Sequence, residues 1–276
     1  MTGTLQLPAP TWFVGCGNMG GAVLDGWRLG GVDLEPVTII RPSGKPVDGA
    51  TVVTSVTEAG PAPRLVVLAV KPQKLDEIAP ELRQRLTSKT LVVSLLAGVE
   101  VASLRQRFPG VGGIVRAMPN LPVAVRRGVT GLYSNDADAS AREELGNIFS
   151  ALGFAMWMAD EGKLAALGSV AGAGPAYVAR FIDALAKAGV QRGLTQDIAA
   201  TIARETVLGT AWLAATNRED MGSVARRVAS PNGTTEAGLA VLDGDDHVLD
   251  RLIQVTIDAA ARRGAELAEE ARETAG

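Results

Sequence analysis

Cysteine and histidine are almost missing from this chain, with one of each among 276 residues. A lone Cys16 excludes an intrachain disulfide and any multi-cysteine metal site, and it fits a reducing compartment. The single His247 stands beside Asp245 and Asp246, a run that reads either as a metal or proton-relay cluster or as a solvated turn before the last helix. Consecutive side chains do not converge on one point, so the turn is the expectation and no metal is expected. Aromatic residues make up only 4% of the chain. Its cores must therefore come from small side chains that let backbones approach closely. Cations are not in excess either. A net charge of −3 leaves nothing to neutralise phosphates, which argues against a nucleic-acid or anionic-membrane partner. No run approaches the roughly 18 apolar residues of a membrane span. The N-terminus also lacks a basic segment followed by an apolar core, so a cytoplasmic location is expected.

What is present divides the chain in two. Up to about residue 159, short β-rich runs alternate with amphipathic stretches. Strands are expected at Trp12–Val14, Val37–Ile40, Thr51–Val53, Leu65–Val70, Leu91–Leu95 and Ile114–Ala117, with two more at Gly128–Tyr133 and Phe154–Met158. Helices are expected between them at Gly20–Leu29, Lys74–Leu86, Val101–Phe108 and around Ala141–Leu152. Such alternation indicates an α/β fold, a Rossmann-type mostly parallel sheet covered on both faces. From residue 160 to 276 the β signal disappears. A long Ala-rich helical stretch over Gly162–Val190 is interrupted at Gly174-Pro175, and Thr195 is a plausible cap for the next helix. A further helix is expected over Arg218–Val228, then the turn Ser230-Pro231-Asn232-Gly233, a short helix and a last helix from His247 to Arg272. The faces of this all-helical half are weakly polar, so it is expected to pack against a second copy.

The strongest local motif is Gly15-Cys16-Gly17-Asn18-Met19-Gly20, directly after Trp12-Phe13-Val14 and directly before a helix. A bare G-x-G-x-x-G is weak evidence, but at the opening of the first βα unit it is a dinucleotide site. Gly15 permits the tight turn, Gly17 lets the backbone approach the pyrophosphate and Gly20 lets the helix pack on the strand. The helix N-terminus then offers free N–H groups to the phosphates. Cys16 reads as a small loop residue, since a redox role would need a perturbed thiol. The second strand ends Ile39-Ile40-Arg41-Pro42-Ser43, with no acid to hold a ribose 2′-hydroxyl. The Arg41 fork and the Ser43 hydroxyl suit a 2′-phosphate instead, so NADPH is preferred and NADH is the weaker ligand. Ala69-Val70-Lys71-Pro72 after the fourth strand and Ala97-Gly98 after the fifth lie where ligands bind in open α/β sheets. Lys71 could be read as a catalytic base or Schiff-base lysine; before proline at a strand end, a loop-shaping or cofactor-contacting role is favoured.

Four segments narrow the reading: Ala69-Val70-Lys71-Pro72; Val115-Arg116-Ala117-Met118-Pro119-Asn120 with its continuation to Arg127-Gly128; Gly172-Ala173-Gly174-Pro175-Ala176-Tyr177; and Ser230-Pro231-Asn232-Gly233-Thr234-Thr235. In this order and spacing they resemble the pyrroline-5-carboxylate reductase family, from about Phe13 to about Ala268. Two departures stand out: Ala173 where the family often has serine, and Asn232-Gly233 where it often has two glycines. The resemblance implies NADPH-dependent reduction of a five-membered cyclic imine acid to proline. It implies that the turn from Ser230 binds the substrate carboxylate through the N–H groups of Gly233 and Thr234, with the Ser230 hydroxyl nearby. Thr235 is the catalytic candidate, orienting the imine nitrogen, and Met118, Pro119 and Asn120 abut the nicotinamide. In the family this turn faces the cofactor of the partner subunit, so a homodimer through the helical half is implied, with association of dimers left open. Rival readings are another NADP-linked imine or hydroxyacid reductase, or an NADP(H) sensor without turnover. Hydroxyacid enzymes of this layout carry a lysine on the long helix after the Gly-rich bend. Here Tyr177-Val178-Ala179-Arg180-Phe181-Ile182 has none before Lys187.

Overall fold

A computed structural model describes residues 5–244 and 247–273; Asp245 and Asp246, and any role for them beside His247, lie outside the described residues. The chain forms two compact units. The first runs to Ala173 and takes in the chain again from Ala260, and the second is Gly174–Ala259.

The first unit is built on eight strands: β1 (Thr11–Val14), β2 (Val37–Ile40), β3 (Thr51–Val53), β4 (Leu65–Leu68), β5 (Leu91–Ser94), β6 (Gly113–Pro119), β7 (Gly128–Tyr133) and β8 (Gly153–Trp157). They lie in the order β3-β2-β1-β4-β5-β6-β7-β8, parallel except for the β6–β7 pair. The order reverses between β1 and β4, which opens a crevice at the carboxyl ends of those strands. Both β1 and β4 are buried along their whole length, as continuous apolar runs must be when helices cover both faces. Successive side chains feed opposite cores. Phe13, Ile39, Val67 and Val115 join one, and Trp12, Val14, Ile40, Val66 and Val92 join the other.

Helices α1 (Asn18–Leu29) and α4 (Ala139–Ser150) cover the first face, and α2 (Leu75–Arg83) and α3 (Val101–Arg107) the second. Trp27 of α1 locks the first face: its indole N–H donates to Ile148 O at 3.0 Å, and its ring lies between Phe13 and Phe149. Three of the few aromatic residues thus sit where sheet and helices meet. Strand β4 stops at Leu68, short of the expected Val70; Lys71 is extended (φ −69°, ψ 143°), as a residue before proline must be, and a short helical turn begins at Pro72.

The helical region is also segmented differently from its periodicity. Helix α5 (Glu161–Leu167) is followed by one π-turn, Gly168–Gly172, and then by α6 (Gly174–Gln191). Pro175 falls in the first turn of α6, where its missing N–H costs nothing. By packing, α5 goes with the sheet: Leu164 is buried, and Leu164 and Leu167 lie where a side chain on Gly131 would be. Helix α7 (Gln196–Asn217) ends at Arg218 in a left-handed cap (φ 54°). The next helix, α8 (Met221–Val228), therefore starts later than the expected Arg218, with Asp220 accepting from the Ser223 N–H at 2.9 Å. Helices α9 (Thr234–Asp243) and α10 (Val248–Glu273) complete the chain.

The second unit buries little of its apolar surface. Ala199, Ala203, Ala214 and Val224 are covered, while Phe181, Ile198, Ile202 and Trp212 are each at least 50% exposed. No helix among the described residues is long and apolar enough to cross a membrane.

Candidate active site

The glycine loop has the geometry its spacing predicts. Gly15 has φ +85°, and a Cβ there would fall 2.8 Å from Ala69 O and from a Val70 methyl. The turn therefore presses against the end of β4, and only glycine fits. A Cβ on Gly20 would meet the Phe13 ring at 3.0 Å and the Ala69 methyl at 3.1 Å, so α1 lies close on the sheet. Around Gly17 the opposite holds: no atom lies within 4 Å of its Cβ position. The chain leaves space over that one glycine, and the N–H groups of Asn18, Met19 and Gly20 open α1 with no capping side chain from Gly17. Open space above unpaired helix N–H groups is what a pyrophosphate needs.

Arg41 follows β2 and is half-buried. Its backbone N–H donates to Val53 O at 3.0 Å, which fixes the residue, and its charge reaches the Cys16 thiol. Among the described residues no carboxylate pairs with its guanidinium. Ser43 is exposed two residues on, its hydroxyl 3.5 Å from the Lys45 N–H. Burial pushes the Cys16 thiol up from its ordinary pKa, against the smaller opposing pull of Arg41. A raised pKa means less thiolate at neutral pH, the reverse of what a reactive cysteine requires. Together these residues fit an NADP-type dinucleotide.

The remaining loops close the crevice. Ala69 and Val70 are half-buried beside Gly15, and Lys71 is exposed, its carbonyl accepting from the Lys74 N–H at 2.9 Å as a short helical turn begins at Pro72. Ala97 is exposed, and Gly98 has φ +76° with the backbone of Leu267 in α10 3 Å or less from its Cβ position. The last turns of α10 thus lie against the loop after β5. Met118 is half-buried, its sulfur where a side chain on Gly168 would collide, and Pro119 is buried. Asn120, the expected polar contact with a nicotinamide, is buried. Its amide donates to Ala171 O at 3.0 Å and accepts from the Val129 N–H at 2.8 Å. One donor and one acceptor of the side chain thus brace the π-turn against β7.

In the second unit, the turn from Ser230 to Thr235 carries a second set of donors. Asn232 has φ +58° and its N–H donates to Glu236 at 2.6 Å. The Gly233 N–H donates to Ser230 O at 2.9 Å. The expected role of the Gly233 N–H in binding a carboxylate is therefore not available in this conformation, because a tight turn has already used it. Gly233 is instead the N-cap of α9, and a side chain there would collide with the Ser230 hydroxyl. The N–H groups of Thr234 and Thr235 open α9 and have no intrahelical acceptor. Thr234 is exposed and Thr235 half-buried.

Comparison with known proteins identifies the family. Residues 161–267 match the profile described as pyrroline-5-carboxylate reductase dimerisation, and residues 12–98 that of NADP oxidoreductase, coenzyme F420-dependent. The chain is 35% identical over 265 residues to pyrroline-5-carboxylate reductase of Pseudomonas aeruginosa, covering 94% of this chain and 96% of that one. It belongs to the pyrroline-5-carboxylate reductase family.

A solved pyrroline-5-carboxylate reductase from Coxiella burnetii superposes with a TM-score of 0.84 at 30% identity, over 95% of this chain and 99% of that one. The Plasmodium falciparum pyrroline carboxylate reductase with NADP bound shares the fold, with a TM-score of 0.84 at 23% identity over 94% and 98%. Set against the family pattern, the Asn232 departure is conformationally mild. The position is left-handed, a region glycine favours and asparagine tolerates. Ala173 is half-buried at the junction of the π-turn and α6 and offers no hydroxyl. The first lysine of α6, Lys187, is exposed and bound to Asp183 at 2.8 Å. Sequence reading passed over the ion pair of Arg116 in β6 with Glu161, 2.9 Å from Nη1 to Oε1. An arginine inside an otherwise apolar strand was the available signal, since a buried guanidinium requires an anion.

Proposed function

We propose that this chain reduces 1-pyrroline-5-carboxylate to L-proline with NADPH, as the last step of proline biosynthesis, and that its residues take the following roles. The observation that carries the reading is the open space over Gly17 beside a strand-pressed Gly15, with an Arg41 at the end of β2 that no carboxylate pairs among the described residues, in a chain of this family. Gly15, Cys16, Gly17, Asn18, Met19 and Gly20 hold the pyrophosphate, and Arg41 and Ser43 the 2′-phosphate. Ala69, Val70, Lys71, Pro72, Ala97 and Gly98 line the dinucleotide, and Met118 and Pro119 bound its nicotinamide end. Asn120 serves that end through the π-turn it braces. When bound, NADPH supplies the hydride that the imine carbon accepts.

The substrate needs an anion site and a polar contact at nitrogen. The free N–H groups of Thr234 and Thr235, at the positive end of α9, hold the carboxylate, with the Ser230 hydroxyl beside them. The Thr235 hydroxyl orients the imine nitrogen. A protonated imine already carries the charge that attracts hydride, so the task of these residues is to fix two reactants face to face, which can supply much of the rate. The uncovered apolar faces of α6 and α7 support a homodimer in which this turn serves the cofactor site of the partner subunit. A single unpaired Cys16 supports a cytoplasmic location.

The test is spectrophotometric. NADPH consumption is expected with the five-membered cyclic imine acid, more slowly with the six-membered analogue and with NADH. Binding of NADPH without consumption in the presence of either imine would replace the reductase with a sensor.

A further inference from the structure

Arg116 lies in β6, two residues before Met118, with its side chain only 7% exposed. Strands β5 and β7 flank it, with Ser94 and Tyr133 in register. A guanidinium cannot shed its proton there, and burying it without an anion is costly. The anion comes from far along the chain. Glu161 Oε1 accepts from Arg116 Nη1 at 2.9 Å and from the Val101 N–H at 2.9 Å. Val101 opens α3, and Glu100 before it makes no side-chain cap. The same oxygen therefore neutralises a charge on β6 and caps the helix that follows the Ala97-Gly98 loop.

Glu161 is itself the first residue of α5, where its charge suits the helix dipole. Helix α5 runs into the π-turn whose Gly168 packs on Met118 and whose Ala171 carbonyl is held by Asn120. One carboxylate thus joins the loop after β5, the strand that carries Met118 and Pro119, and the turn packed on them. In the sheet order, β2 and the Arg41 that follows it lie on the far side of β1 from β5 and β6.

We propose that Glu161 is a positioning residue for the nicotinamide half of the cofactor site, acting through Val101 and Arg116 and touching no ligand itself. The proposal rests on the NADPH reading above. In an open sheet of this order, the β1–β3 half takes one nucleotide and the β4–β6 half the other. Loosening the second half should therefore weaken the intact dinucleotide and spare a ligand confined to the first.

The experiment compares Glu161→Ala and Glu161→Gln with the unsubstituted full-length protein by calorimetric titration of NADPH and, separately, of adenosine 2′,5′-bisphosphate. For Glu161→Ala, which removes both hydrogen bonds of that oxygen, the NADPH Kd should rise roughly tenfold and the bisphosphate Kd stay within about twofold. Glu161→Gln keeps an oxygen for the Val101 N–H while losing the charge, and its NADPH Kd should fall between the two. A merely structural ion pair would lower the thermal midpoint and leave the ratio of the two Kd values unchanged. Equal weakening of both ligands, or unchanged NADPH affinity, overturns the proposal. If Glu161→Ala does not fold, Glu161→Gln decides by the same ratio. Failure of the unsubstituted protein to bind either ligand would remove the cofactor reading first, and this inference with it.

Discussion

Gly15 and Gly17 stand two residues apart in one loop, yet substituting them with alanine should have opposite consequences. At Gly15 the backbone has φ +85°, which costs an L-residue about 1–2 kcal/mol. The new methyl would sit 2.8 Å from Ala69 O and the Val70 side chain, and such overpacking adds about 1–3 kcal/mol. Gly15→Ala should therefore lose about 2–5 kcal/mol, a fall in Tm of roughly 5–15 °C for a chain of this size. At Gly17 the backbone is extended (φ −84°, ψ −161°) and nothing lies within 4 Å of the Cβ position. Gly17→Ala should leave Tm unchanged or raise it slightly, because alanine loses less chain entropy on folding, worth about 0.4–1 kcal/mol. The methyl would occupy the space assigned to the pyrophosphate, so NADPH affinity should fall at least about tenfold, or about 1.4 kcal/mol. Thermal melts with and without NADPH, together with a binding titration, separate the two effects. A Gly17→Ala protein that binds NADPH as tightly as the parent would refute the placement of the phosphates. A Gly15→Ala protein of parental stability would refute the close approach to β4.

Further expectations concern the other parts of the site. Arg41→Asp should raise the NADPH Kd by more than about tenfold while changing NADH little; equal losses for both cofactors in parallel titrations would show that Arg41 does not read the 2′-phosphate. Thr235→Ala should cut kcat by roughly three- to a hundredfold with NADPH binding intact, and parental steady-state kinetics would remove Thr235 from the site. Phe181 is 51% exposed on α6. Phe181→Glu should shift the protein from dimer to monomer in sedimentation velocity, and an unaltered dimer would place the interface elsewhere.

The sheet and its glycine loop were legible in the sequence because both depend on local signals. Alternating βαβ periodicity set all eight strands within a few residues, and the G-x-G-x-x-G spacing located Gly15, Gly17 and Gly20 by the backbone each position demands. The acid-free end of β2 pointed to Arg41 for the same reason. What escaped reading depends on partners distant in the chain. The Asn120 amide meets Ala171 and Val129, the Gly233 N–H the carbonyl of the turn it helps to close, and the Arg116 charge Glu161. Periodicity reports which face of an element is apolar, and says nothing of which remote carbonyl or carboxylate will meet a given donor. The same limit explains why α5 packs on Gly131 although its composition matches the helical half.

The central claim concerns a hydride delivered to a cyclic imine, and isotopic transfer tests it directly. With NADPH deuterated at the transferring C4 position and 1-pyrroline-5-carboxylate as acceptor, mass spectrometry should find proline carrying one deuterium at C5. Unlabelled proline, or NADPH left unconsumed by protein shown to bind it, would contradict the account.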